Sequence, residues 1–225
     1  MVDMPEAPSA RSRIRRLPER GVYEPATIYE VLDQALICHV AIADVDGGAP
    51  HLIPTIHTRI EDTLYLHGSN ASRTLRGLRE GAEITVAATL IDGLVLARSA
   101  FHSSMNYRSV VVFGTARLVT DRTELLDVSR ALADHVAPGR GADARPPTDD
   151  ELRQTTFMAI SLEEASAKVR TGPPSDDESD LDLPIWAGVL PLRTVPGAPE
   201  PDPALPADVR PPAYVTTYRR PGEPE

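Results

Sequence analysis

One cysteine, Cys38, is all the thiol this chain has. No intramolecular disulfide can form and a reducing compartment fits, so the expected location is the cytoplasm. No apolar run approaches the ~20 residues of a membrane span, and the start lacks the apolar core of a secretory signal. A Gly-x-Ser-x-Gly elbow and a Gly-rich dinucleotide fingerprint are missing. The six histidines include no His-x-x-x-His pair and no cysteine partner at metal spacing. Hydrolase, thiol-enzyme and structural-zinc chemistry therefore have no support, and no metal site is expected. Haem iron needs only one well-placed histidine, so haem stays open. The formal charge of −10 argues against general affinity for nucleic acid or anionic membrane. Lysine is nearly absent: Lys168 is the only one among 23 basic residues.

What is present concentrates between two poor ends. Residues 1–21 carry Pro5, Pro8 and Pro18 among Arg11, Arg13, Arg15 and Arg16, and residues 196–225 are rich in Pro, Ala and acids. Both compositions predict solvated tails around one domain at 22–195. Within it, Ile28, Val31, Leu32 and Ala35 keep helical spacing, and so do Leu125, Val128, Leu132 and Val136. Strand signals recur at 37–43, 51–57, 64–66, 83–91, 94–100, 108–119, 158–160 and 165–169, with turns expected at Asp46-Gly47-Gly48, Glu61-Asp62 and Asp92-Gly93. Pro54 belongs at an edge or a bulge, because it has no N–H to give to a ladder. Hairpins with few helices between them predict a mainly β fold, an antiparallel barrel of about six strands.

The chemistry centres on Leu64-Tyr-Leu-His-Gly-Ser-Asn-Ala-Ser-Arg73, a short strand running into a turn that opens a helix. Helix-start N–H groups, the Ser72 hydroxyl and the Arg73 guanidinium suit a phosphate, with Arg76 close by on the neighbouring face. His57 and His67 stand near the ends of adjacent strands, where cross-strand packing and ligand contact are both open to them. Cys38, in mid-strand, reads as an inert core residue.

Four segments in order resemble the pyridoxamine 5′-phosphate oxidase-like flavin-binding proteins, in the flavin-nucleotide-binding branch related to nitroimidazole reductases. They are Thr55-Ile-His57, His67-Gly-Ser-Asn-Ala-Ser-Arg73, Phe101-His-Ser-Ser-Met-Asn-Tyr-Arg-Ser-Val-Val-Val-Phe-Gly114, and Ala165 to Arg170 with Trp186-Ala-Gly-Val-Leu-Pro-Leu-Arg193. The resemblance implies a six-stranded antiparallel split β-barrel of the FMN-binding type, forming homodimers with FMN at the subunit interface. It implies that Ser72 and Arg73 hold the phosphate, and that Thr55, Ile56 and His57 line the ring. His67, Gly68 and Ser69 would abut the flavin, and Arg108 and Ser109 would begin the strand beneath it. Trp186, with Gly188 and Pro191, would reach the partner's flavin. Apart from the resemblance, Lys168 and Arg170 alternate with Ala167 and Val169 as on a strand with one polar face, open to pairing with the acidic Asp176-Asp177-Glu178 or to facing the anionic site, and a place close to the site is favoured.

Three departures set limits. Thr74 stands where the oxidases have lysine, their Arg-x-His tail is missing, and Ser103 replaces the second of a His pair. These argue against pyridoxamine phosphate oxidation. The expected activity is that of an FMN-dependent oxidoreductase passing electrons to an unidentified small molecule. The alternatives are a non-catalytic flavin carrier or sensor, or a barrel that binds haem or a deazaflavin.

Overall fold

In a computed structural model, which describes residues 6–43, 48–70, 81 and 83–221, the chain forms eleven strands in two antiparallel sheets. The strands are β1 (Gly21–Val22), β2 (Cys38–Ile42), β3 (His51–Thr55), β4 (His57–Ile60), β5 (Thr63–Ser69), β6 (Glu83–Leu96), β7 (Ser104–Thr115), β8 (Arg117–Leu118), β9 (Thr155–Ser161), β10 (Ala165–Arg170) and β11 (Gly188–Pro191). The helices are α1 (Pro25–Gln34), α2 (Arg122–Val136), and the short α3 (Arg140–Asp143), α4 (Asp149–Gln154) and α5 (Ala213–Thr216). The larger sheet runs β1-β10-β7-β6-β2-β3, with β11 on the far half of β6; the smaller runs β4-β5-β9-β8.

The mainly β, antiparallel expectation holds, but about six strands become eleven for local reasons. The run 51–60 does not stay in one sheet. It leaves the large sheet after Thr55, which pairs with Cys38, and enters the small one at His57, which pairs with Leu66. At 83–96 the opposite happens: Asp92-Gly93 makes no turn, and one strand continues through a bulge where the register slips between Ile91 and Gly93. Gly93 is needed there, since a Cβ would come within 3.0 Å of the Leu190 carbonyl of β11. Pro54 lies on β3, the edge of the large sheet, as its missing N–H requires. The Asp46-Gly47 part of the expected hairpin turn lies outside the described residues, as does the helix expected after Asn70.

Period-two alternation sorts the small sheet between two cores. Leu64, Leu66, Met158 and Ile160 face one way, into the space closed by the large sheet (Val40, Val86, Val110, Val112) and by Ile28, Val31 and Leu32 of α1. Tyr65, Phe157 and Ala159 face the other way, onto Val128 and Leu132 of α2 and Leu152 of α4. Each fully buried aliphatic side chain contributes about 1.5–3 kcal/mol by leaving water. Cys38 is buried in the first core, and burial pushes its thiol up to about 12, so it is inert as expected. Among the described residues no helix is long and apolar enough to cross a membrane.

Both ends depart from the picture of solvated tails. Ser12 is buried, Arg11 pairs with Glu83 and Glu164, and β1 adds to the edge of β10. At the other end, after the exposed stretch 193–212, Tyr218 donates to the Val136 carbonyl at 3.1 Å and Arg220 is buried. Composition is blind to single anchoring side chains such as Arg11 and Arg220.

Candidate functional site

The crossing at Ile56 creates a seam between the sheets, and the seam gathers half of the expected site. Thr55, Ile56 and His57 run through it, and His67, Gly68 and Ser69 lie on the adjoining strand β5, paired with Phe157, Thr156 and Thr155 of β9. Asn70 closes the end of β5: its N–H donates to the Gln154 carbonyl at 3.2 Å and its Oδ1 accepts from Thr156. Ser72 and Arg73, expected to hold the phosphate, lie outside the described residues.

The two seam histidines differ. His57 is fully buried, and its Nε2–H donates to the Leu32 carbonyl of α1 at 2.9 Å. Its ring lies 4.6 Å from that of His135, which donates from Nε2 to the Ala35 carbonyl at 2.9 Å. Burial lowers the pKa of both, His135 to about 4, with the neighbouring His57 and Arg220 adding to the effect. His57 is thus a buried histidine fastening α1 through one nitrogen, while its Nδ1 has no hydrogen-bond partner. His67 is freer. Its ring stacks near Phe157, burial lowers its pKa so that it stays neutral, and its buried Nδ1 has no hydrogen-bond partner. An imidazole nitrogen shut from water without a partner carries a desolvation cost that a bound group would relieve.

Arg108 also departs from expectation. Its guanidinium bonds Asp92 bidentately at 3.0 and 2.9 Å, Gln34 at 2.8 Å and Glu30 at 3.1 Å. The bulge at Asp92 exists within reach of this cation, so Arg108 ties α1 to the barrel and its charge is already matched. Ser109 donates to the Lys168 carbonyl at 3.3 Å, while the Lys168 ammonium donates to the Arg16 carbonyl at 3.0 Å. Neither meets the seam directly.

Trp186 lies elsewhere again. It is 67% exposed, and its indole rests over Gly188, where a Cβ would come within 2.9 Å of the ring. Gly188 pairs with Leu96, whereas β2, the neighbour of β3 at the seam, pairs with β6 over Ile84–Ala87. Nine residues of strand separate Leu96 from Ala87, about 30 Å along an extended strand. The indole thus lies on the far half of β6 from the β2 pairing. A Gly188→Ala variant should push the ring off its seat. Because this is the chain's only tryptophan, its fluorescence anisotropy reads the change directly. The anisotropy is expected to fall with the circular dichroism unaltered, and an unchanged value would show that the indole does not depend on that backbone.

Sequence reasoning missed His135, Asp92 and Arg220. The last had a signal: Tyr214, Tyr218 and Arg220 are anchoring residue types inside an otherwise featureless tail. Among the described residues no group of three or more His, Cys, Asp or Glu is placed to hold a metal ion.

A mainly β barrel of two antiparallel sheets, with one chain segment crossing between them at Ile56, defines a class, and the family model described as pyridoxamine 5′-phosphate oxidase matches residues 24–169. The chain belongs to that family. It is similar to the flavocytochrome Anf3 from Azotobacter vinelandii, at 38% identity over 96% of this chain and 100% of that one, with a TM-score of 0.88. It is also similar to the FAD and heme binding protein from Mycobacterium smegmatis, at 35% identity over 89% of this chain and 98% of that one, with a TM-score of 0.84. A candidate 5-nitroimidazole antibiotic resistance protein from Bacteroides thetaiotaomicron matches at 21% identity over 66% of this chain and 86% of that one, with a TM-score of 0.56, which speaks for the fold alone. No curated protein matches the chain.

Proposed function

We propose that this chain is a flavin-binding redox protein that also takes a haem, acting as a homodimer. The observation that carries the reading is the near full-length similarity, at 38% and 35% identity, to a flavocytochrome and to a protein that binds FAD and haem. It moves the cofactor from the expected FMN toward FAD, and it favours the haem alternative over a barrel that holds flavin alone.

The residues fit. His67 is neutral and carries a nitrogen committed to no carbonyl or carboxylate, the state in which imidazole ligates iron. His57 has an equally unpartnered Nδ1, but it is fully buried and its Nε2 is bonded to the Leu32 carbonyl; His135 is bonded to the Ala35 carbonyl and His102 to Asp177 at 3.2 Å. Thr55, Ile56, Gly68 and Ser69 offer backbone and small side chains at the seam for a flavin, with Ser72 and Arg73 as its phosphate ligands. When bound, a flavin exchanges one or two electrons and a haem exchanges one. The chain's own part is to hold both groups and shield them from water.

The dimer reading rests on the exposed indole and its place on the far half of β6. Trp186 is exposed, and so are Leu190 and Met105, which flank Leu94 in the sheet beside it. Exposed large apolar side chains on one sheet region suit burial against a second copy, which would bring one chain's Trp186 toward the other's seam. Mass spectrometry of the ligands released on denaturation, together with sedimentation of the native protein, tests the proposal. FAD with haem from a dimer is expected; FMN alone, or no ligand after reconstitution, would overturn the cofactor assignment.

A further inference from the structure

We propose that the N-terminal strip carrying Arg13, Arg15 and Arg16 is the docking surface for an acidic electron-carrier protein. That partner's role as an electron donor rests on the redox reading above; the surface itself rests on the following observations.

The strip is pinned from below and bare above. Ser12 is buried, and its hydroxyl donates to the Ser9 carbonyl at 3.1 Å. Arg11 pairs with Glu83 and Glu164 and lies over the Phe113 ring at 5.7 Å. The Ile14 N–H donates to the Tyr23 hydroxyl at 2.9 Å, and Lys168 holds the Arg16 carbonyl at 3.0 Å. Fixing backbone costs conformational entropy at every residue, so contacts spread over Ser12 to Gly21 are needed to hold such a segment against the sheet. Ser12 is buried and Ile14 half-buried, while Arg13, Arg15 and Arg16 are exposed. Among the described residues none of these three guanidinium groups has a carboxylate partner, although Arg11 beside them has two.

Three unmatched cations on a chain of net charge −10 form a local field opposite to that of the whole molecule. The size of the strip selects the partner. At physiological salt, charges interact over about 8 Å, so a polyanion that extends well past the strip meets the acidic remainder and is repelled. Nucleic acid and an anionic bilayer both extend that far. A small, compact acidic protein can touch the strip alone. Charge-steered, low-area contact is also the form that transient electron-transfer encounters take.

The test uses the full chain and, as probe, an oxidised plant-type [2Fe–2S] ferredoxin, a strongly acidic carrier, with affinity read by calorimetry. The wild-type protein is expected to bind at about 20 mM salt and to lose at least about tenfold in affinity by about 200 mM. An R13E/R15E/R16E variant should bind at least about tenfold more weakly at the lower salt, with melting temperature and cofactor content unchanged. Equal affinity of the two proteins, absence of binding, or tighter binding of a 20-nucleotide RNA than of ferredoxin would overturn the proposal. Cofactor content is read independently. A chain that holds neither flavin nor haem yet binds ferredoxin through these arginines keeps the surface and removes the redox reading.

Discussion

Replacing Arg220 by alanine is expected to lower the stability of this protein by about 3 kcal/mol, the largest effect of any substitution near the carboxyl terminus. The guanidinium is buried. It donates to the Gln34 carbonyl at 3.0 and 2.8 Å, to Asp33 at 3.2 Å and to His135 at 2.8 Å. These carbonyls belong to the last turns of α1 and α2, where the helix ladder provides no donor and the helix dipole favours a cation. One fork of N–H groups therefore caps two helices and ties them together. Its removal leaves several buried acceptors unmet, each hydrogen bond to a charged group being worth about 1.5–3 kcal/mol. In a chain of this size the loss corresponds to a melting temperature roughly 6–12 °C lower. Truncation after Pro212 should have at least the same effect. If truncation or the alanine variant melts with the wild-type protein, the tail is not a structural part of the fold.

Acid should unfold the protein through the same locus. In the unfolded chain an imidazole takes up a proton below about pH 6.5. In the folded chain His135 refuses it until about 4, because of burial, the neighbouring His57 and the Arg220 cation, in that order. Between those limits the unfolded state binds more protons, so the stability from this group is complete above pH 6.5 and is lost as pH falls toward 4. The full shift corresponds to about 3.4 kcal/mol; allowing for the partial exposure of the ring, about 2 kcal/mol is expected. His57, lowered chiefly by burial, acts in the same direction. Asp33 faces this pair too, but its carboxylate is held by Arg59 at 2.6 and 2.9 Å. Urea unfolding at pH 7 and pH 5 should show the loss in the wild-type protein and a smaller one in His135→Gln. Parallel losses would place the acid sensitivity elsewhere.

Much of the frame was legible because strand and helix periodicity are local. The alternation of Leu64, Tyr65 and Leu66 and the stripe of Val128 and Leu132 pointed to the right faces. The edge position of Pro54 follows from one missing N–H. The split of 51–60 was hidden, since Ile56 looks like any strand residue and only the packing of two sheets decides that the chain crosses there. The bulge was hidden for a related reason: Asp92-Gly93 is good turn chemistry, overridden by β11 pairing alongside and by Arg108 gripping the carboxylate. Within the site, the seam residues 55–57 and 67–69 came together as the motifs implied. Arg108 did not, because sequence shows a guanidinium but not the three side chains that already satisfy it. His57 and His67 are the sharpest case. They share a residue type and neighbouring strands, and only the Leu32 carbonyl beside one of them tells them apart.

The most direct test of the central claim is the visible spectrum of the purified 225-residue chain, after reconstitution with FAD and haem, compared with that of His67→Ala. Flavin bands and a sharp Soret band are expected in the wild-type protein, and in the variant a Soret band that is shifted or lost while the flavin bands and melting temperature persist. Identical Soret bands in the two proteins would contradict the place given to His67, and a wild-type chain that takes up neither cofactor would contradict the account as a whole.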